Sequence, residues 1–239
     1  MGLGTNRLRY TPEHVEFVRD AVAAGIGCID TAYIYTGGES ERTIGDARAH
    51  GRCVVATKGA FRAGQGRRDV LAAQIEESLA RLQTATIQLY YLHRVDPETP
   101  LEETMGVIKE YRDRGAIRYA GMTMVTIEQI ERARRVLPIV AVQNPYSVAD
   151  RTHDGVVEYC AREGVIFVPY YPLRNTDTEP VRALASKHGA TPSQIALAWL
   201  LRRAPNVLPI PGTLSRAHAQ ENIAALDIDL SDEDVASLS

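Results

Sequence analysis

Three side chains suited to proton transfer fall within the first sixty residues. Gly27-Cys28-Ile29-Asp30 and Cys53-Val54-Val55-Ala56-Thr57-Lys58 are short apolar runs, each closing on one charged residue. Runs of that kind are how buried parallel strands look. A buried carboxylate or ammonium is costly unless paired, so Asp30 and Lys58 are expected to meet as neighbours at the ends of adjacent strands. Tyr35 follows Asp30 by five residues, at the start of a glycine-containing loop that leads into a helix from Ser40. An ammonium beside a phenol favours the phenolate, so Lys58 is expected to draw the Tyr35 pKa below its usual value of about 10 and make it a usable acid near neutral pH. A structural ion pair with a packed loop aromatic is the plainer explanation of the same three residues.

These residues need elements to position them, and the chain alternates strand-like and helical runs from end to end. Strands are expected at Gly2–Thr5, up to Asp30, up to Lys58, and over Ile87–His93, Ile117–Thr123, Ile139–Gln143, Val165–Tyr170 and Val207–Ile210. Helices are expected between them: Pro12–Ala24 capped by Thr11, Ser40–Ala49, Val70–Leu82, Leu101–Arg114, Thr126–Val136, Gly155–Glu163, Glu179–His188 with Thr191–Arg203, and Arg216–Leu226. Eight strand and helix pairs without linker or repeat point to one α/β domain over residues 1–239, a (β/α)8 TIM barrel. A doubly wound sheet would open with G-x-G-x-x-G, and Gly2-Leu3-Gly4-Thr5-Asn6-Arg7 does not follow it. Barrels carry their chemistry at the C-terminal ends of strands, where Asp30, Lys58, His93, Gln143 and Tyr170 all fall. His93 at such a mouth can donate to a substrate carbonyl oxygen.

Composition narrows the partners. The 239 residues are 45% hydrophobic and 24% charged with a net charge of -3, which leaves no electrostatic footprint for nucleic acid or an anionic membrane. The arginine pairs Arg67-Arg68, Arg134-Arg135 and Arg202-Arg203 fall in helical runs and read as solvated faces. Cys28, Cys53 and Cys160 have no C-x-x-C spacing and read as reduced core residues. No membrane span or signal segment is evident, so a cytoplasmic protein is expected. The other histidines lack ligand spacing, so no metal is expected. Gly212 to Ser215 lead into a helix N-terminus, where free N–H groups favour an anion, and Arg216 adds a cation suited to a 2′-phosphate; a plain cap by Ser215 is the competing explanation.

Asp30-Thr31-Ala32-Tyr33-Ile34-Tyr35, Lys58 and His93 together resemble the signature of the aldo-keto reductase family, bacterial NADP-dependent type, and the resemblance runs from Gly2-Leu3-Gly4-Thr5 to the final helix. It implies a tetrad: Tyr35 as general acid, Lys58 lowering its pKa, Asp30 holding Lys58, and His93 orienting a small-molecule aldehyde or ketone. It implies hydride from NADPH, with NADH as the alternative, bound without a Rossmann domain. Gln143 in Val142-Gln143-Asn144 would hold the carboxamide with Thr123, and Tyr170 in Val168-Pro169-Tyr170-Tyr171-Pro172-Leu173 would stack on the nicotinamide. Leu173 and Arg174 would lie by the pyrophosphate, with Gly4, Thr5, Asn6 and Tyr171 at the cofactor's edge. Ile210, Gly212, Thr213, Ser215, Arg216, His218, Glu221 and Asn222 match the segment that grips the adenosine phosphate. Tyr33, Tyr171 and Arg94 are expected to line the substrate mouth, on a monomer or weak homo-oligomer.

The sequence departs from that family in three places. Thr123-Met124 stands where a Ser-Asn pair normally grips the carboxamide, and losing one such hydrogen bond costs about 1 kcal/mol. Gly212 and His218 replace a lysine and an arginine common in relatives, which leaves NADPH preference to Arg216 and Thr213. The loop after the fourth strand is short, so an open mouth is expected. Two other classes share these residues: a Schiff-base, aldolase-like barrel acting through Lys58, and an NADP-binding regulatory protein with weak or no turnover, which Met124 would suit.

Overall fold

The computed structural model describes residues 1–238. Seven parallel strands run in sequence order: β1 (Gly2–Gly4), β2 (Cys28–Asp30), β3 (Val54–Gly59), β4 (Ile87–Leu92), β5 (Ile117–Thr123), β6 (Ile139–Gln143) and β7 (Ile166–Phe167). The helices between them are α1 (Pro12–Ala23), α2 (Glu39–Asp46), α3 (Arg68–Leu82), α4 (Leu101–Asp113), α5 (Ile127–Arg134), α6 (Asp154–Arg162), α7 (Glu179–His188) and α8 (Pro192–Arg203); α9 (Arg216–Ala224) and α10 (Asp232–Ser237) follow the last crossing. Thr11 caps α1 from its side chain, and Thr126 and Thr191 start α5 and α8 with capping boxes. Proline at the first helical position of α1 and α8 leaves no donor unpaired there.

The eighth strand expected over Val207–Ile210 is not regular. Its residues still join the two edges of the sheet: Leu208 N–H donates to Phe167 O at 2.9 Å, and Pro209 O and Pro211 O accept from Gly2 and Gly4 N–H at 3.0 and 3.2 Å. Parallel bridges Phe167–Val207 and Gly4–Gly212 lie at either end. Pro209 and Pro211 face β1 and have no N–H to return, so half of that ladder is missing and only isolated bridges remain. Strand seven is likewise shorter than Val165–Tyr170; beyond Phe167 the chain drifts off the ladder, and Tyr170 returns in a bridge to Pro145.

Strand alternation decides which side chains point into the closed sheet. Ala56 on β3, Leu89 and Tyr91 on β4 and Ala141 on β6 form a small inner cluster, separate from the larger apolar layer between sheet and helices. Tyr91 fills the interior, and its neighbours are small for that reason: a Cβ on Gly121 would lie 2.5 Å from the Tyr91 ring. Continuing the same parity towards the C-terminal ends brings Asp30, Lys58, His93, Thr123 and Gln143 to one rim above Tyr91, whose ring centroid is 5.9 Å from Lys58 Nζ. No helix among the described residues is long and apolar enough to cross a membrane.

Candidate active site

The rim surrounds a cavity of about 590 Å³. At its base Lys58, 1% exposed, donates to Asp30 Oδ2 at 2.7 Å and to Thr31 O at 2.8 Å. The ion pair expected between the two strand ends is therefore formed. Burial pulls the Lys58 ammonium down, but Asp30 and then Tyr35 raise it, and the net shift is upward. Lys58 stays a cation.

Tyr35 enters from the loop after β2, with Lys58 Nζ 5.1 Å from its ring centroid and the His93 ring edge-on at 6.1 Å. The loop is held in a demanding conformation: Thr36, Gly37 and Gly38 all have positive φ, of 49°, 66° and 90°. Thr36 keeps its left-handed backbone by donating its hydroxyl to Leu8 O at 2.7 Å. Gly38 is favoured by its φ of 90°, and an added Cβ would also lie 2.6 Å from the guanidinium carbon of Arg81. Arg81 bonds Tyr33 O and the fully buried Glu41 from α3, and Glu41 also accepts from Thr57 Oγ1 at 2.6 Å beside Lys58. Glu41 and Arg81 thus tie the Tyr35 loop to β3.

The expected lowering of the Tyr35 pKa is not found. Burial outweighs the pull of Lys58, so the phenol sits above its ordinary value and stays protonated at neutral pH. His93 is 7% exposed, packs 4.7 Å from the Phe61 ring, and has no partner at Nδ1. Burial, with Lys58 and Arg94 nearby, brings its pKa down to about 2. The imidazole is neutral and no hydrogen bond fixes its tautomer.

Gln143 has a partner that was not expected. Its Nε2 donates to Asp30 Oδ1 at 2.8 Å, which leaves the amide oxygen facing the cavity. Thr123 Oγ1 donates to His93 O, so its hydroxyl proton is engaged by the backbone rather than held for a ligand. Met124 adopts φ 53° and lines the cavity with its sulfur 2.6 Å from Tyr170 Oη.

Other candidates divide in two. Gly4, Thr5, Asn6, Arg94, Tyr170, Tyr171, Leu173, Arg174, Ile210 and Gly212 line the cavity with Asp30, Tyr35 and His93. Tyr33 does not: its hydroxyl donates to Glu77 at 3.0 Å and its ring lies under Arg81, so it turns onto α3. Thr213, Ser215, Arg216, His218, Glu221 and Asn222 lie past the cavity, on the loop entering α9 and on α9 itself. Ser215 caps α9 by accepting from His218 N, and its own N–H donates to Thr213 Oγ1. Arg216 is ion-paired with Asp20 of α1. Among the described residues no cluster of His, Cys, Asp and Glu could hold a metal, and the three cysteines are free and buried. Sequence reasoning missed Ile34, Phe61 and Arg7 as cavity residues. Phe61 carried a signal, since it follows β3 by two residues.

The aldo/keto reductase family model matches residues 1–239. The chain belongs to the aldo/keto reductase family. An uncharacterized oxidoreductase of Schizosaccharomyces pombe is 36% identical over 225 residues, covering 89% of this chain and 74% of that protein. A thermostable aldo-keto reductase, solved with the inhibitor epalrestat, superposes with a TM-score of 0.92 at 35% identity, covering 99% of this aldo/keto reductase and 93% of that chain. An aldo/keto reductase from Klebsiella pneumoniae, solved with NADP and acetate, gives a TM-score of 0.90 at 29% identity, with coverage of 99% and 89%.

Proposed function

We propose that this aldo/keto reductase is a single-domain (β/α)8 barrel that reduces an aldehyde or ketone to an alcohol with NADPH. The observation that carries this is the meeting of Tyr35, Asp30 and His93 at one cavity, with Lys58 buried behind them, paired with Asp30 and 5.1 Å from the ring centroid of a protonated Tyr35.

The residues fit a nicotinamide dinucleotide. The Gln143 amide oxygen is an acceptor for a carboxamide N–H, and Tyr170 offers a half-buried ring beside it. Gly4 and Gly212, joined by a parallel bridge, line the same cavity without side chains. Arg174 and Leu173 flank the same wall, in place for a pyrophosphate. When bound, the dinucleotide supplies the hydride that adds to the carbonyl carbon. Tyr35 gives its phenolic proton to the carbonyl oxygen as the C=O π pair moves onto that oxygen. The phenolate left behind is stabilised by the Lys58 ammonium, which Asp30 holds in place through one oxygen and Gln143 steadies through the other. Neutral His93 adds an N–H donor to the same carbonyl oxygen.

A Schiff-base role for Lys58 fits less well. A nucleophilic lysine needs a lowered pKa, and the Asp30 carboxylate pushes this one up. A binding protein with slow turnover remains a second reading, favoured by Met124 where a carboxamide ligand would be expected. Loss of NADPH absorbance with an activated aromatic aldehyde, followed for wild type and Tyr35→Phe, separates these. Turnover that drops by roughly 10²- to 10⁴-fold in the variant supports the reductase. NADPH bound without turnover in either protein supports the binder, and undiminished turnover in Tyr35→Phe overturns the mechanism.

A further inference from the structure

The charge around the cavity is uneven. Among the described residues Asp30 is the only carboxylate lining it, and Lys58 pairs with that group. Three arginines line it as well: Arg7, Arg94 and Arg174. Arg7 donates to Gly212 O at 3.0 Å, and Arg174 lies on the wall proposed for the pyrophosphate. Arg94 follows His93 directly on the loop after β4, so it is the arginine next to the carbonyl-orienting imidazole, with the Tyr170 hydroxyl as its neighbour.

Arg94 makes no ion pair among the described residues. Its guanidinium lies 5.6 Å from the Phe61 ring centroid and within reach of the Tyr170 hydroxyl. Both contacts orient the group, and neither cancels its charge. His93 adds no charge of its own, because it stays neutral. Beside His93 the cavity therefore pairs apolar walls, Ile34 and Phe61, with the oriented Arg94 cation, while Arg174 lies further along, over the Tyr171 ring.

We infer that this part of the cavity takes a carbonyl compound bearing a carboxylate on an apolar body, with Arg94 as the residue that binds the carboxylate. The inference rests on the reductase reading above. One planar guanidinium fork matches the two oxygens of one carboxylate, and the low surrounding polarity strengthens a charge-assisted pair. Carboxylate binding at Arg94 would leave the aldehyde or ketone end of such a molecule towards His93 and Tyr35.

The test compares 4-carboxybenzaldehyde with methyl 4-formylbenzoate, which has nearly the same shape without the charge. Wild type should reduce the acid with kcat/KM roughly ten- to a hundredfold above the ester, the range of a charge-assisted hydrogen bond. The difference should lie mainly in KM and shrink as sodium chloride is added. In Arg94→Met the acid-to-ester ratio should fall to near one, and Arg94→Lys should recover part of it. A readout independent of turnover is calorimetric binding of 4-(hydroxymethyl)benzoate and its methyl ester to the NADP+-loaded protein. Tighter binding of the anion, lost in Arg94→Met, supports the inference even in a preparation that fails to turn over. Equal affinity for anion and ester, or a preference that survives Arg94→Met, overturns it. Failure to reduce either aldehyde counts against the reductase reading, so the two failures are told apart.

Discussion

Gln143 and Asp30, 113 residues apart in sequence, are joined by a buried hydrogen bond from Nε2 to Oδ1 at 2.8 Å. Lys58 takes the other carboxylate oxygen at 2.7 Å, so Asp30 is held from two strands on opposite sides of the closed sheet. Asp30 thus has a fixed orientation, and through it so does the Lys58 ammonium below Tyr35. Gln143→Leu should leave Asp30 Oδ1 buried without a donor, which costs roughly 1–3 kcal/mol. Urea unfolding is expected to show that loss, together with weaker NADPH binding from the missing amide oxygen. Unchanged stability would mean that Asp30 does not depend on Gln143.

The two ionisable groups facing the carbonyl position make opposite demands on pH, and neither titrates between pH 5 and 8. In the proposed mechanism reduction needs the Tyr35 proton, and burial places that phenol above its usual value of about 10. His93 has been pushed down to about 2. The kcat for carbonyl reduction should therefore be level from about pH 5 to 8 and fall only in the alkaline range. An inflection near pH 7 that vanishes in His93→Gln would show that His93 ionises and would overturn this assignment.

Stability should respond to the same histidine. In the unfolded chain His93 takes up a proton below about pH 6.5, while in the folded chain it stays neutral to far lower pH. Its contribution is complete above pH 6.5 and is lost as pH falls, by about 1.4 kcal/mol per pH unit at the steepest. The unfolding free energy should drop less between pH 7 and pH 5 in His93→Gln than in wild type. Equal slopes for the two proteins would place the imidazole in a more hydrated setting.

Much of this site was legible because it rests on local rules. Strand parity and strand ends bring Asp30, Lys58, His93 and Gln143 together, and each could be placed from a short apolar run and its final polar residue. What the sequence hid is set by pairings over long separations. Nothing near Gln143 says that its amide would meet Asp30, and nothing near Tyr33 says that Glu77 and Arg81 would draw it away from the cavity. The Tyr35 pKa was misjudged because the depth of the phenol, rather than the identity of its neighbour, decides the sign. The eighth strand was overcalled because Val207 and Ile210 fit an apolar run, while Pro209 and Pro211 remove the donors that a ladder needs.

Met124 is strained where it stands. Its backbone is left-handed, φ 53°, in a region that disfavours most side chains by roughly 1–2 kcal/mol and that asparagine enters more readily. Met124→Asn should raise the unfolding free energy by about 1 kcal/mol and also replace a thioether with an amide at the cavity wall. Chemical denaturation tests the first effect and NADPH titration the second, with tighter binding expected. A variant that gains stability without tighter binding would show that Gln143 suffices for the carboxamide.

Arg216 and Asp20 form an ion pair between α9 and α1, with both side chains about half exposed. A dinucleotide 2′-phosphate reaching α9 would have to share Arg216 with that carboxylate, which weakens any preference for the phosphorylated cofactor. Asp20→Asn removes the competitor and keeps the shape, so NADPH should bind more tightly and NADH should change little. An exposed pair is worth about 0.2–1 kcal/mol, which sets the expected gain at up to about fivefold in Kd. Titrations followed by reduced-nicotinamide fluorescence measure both constants, and added salt should narrow the difference because the effect is electrostatic. Equal gains for NADPH and NADH would mean that Asp20 acts on the helix packing rather than on a phosphate. No gain for either would place the 2′-phosphate away from Arg216.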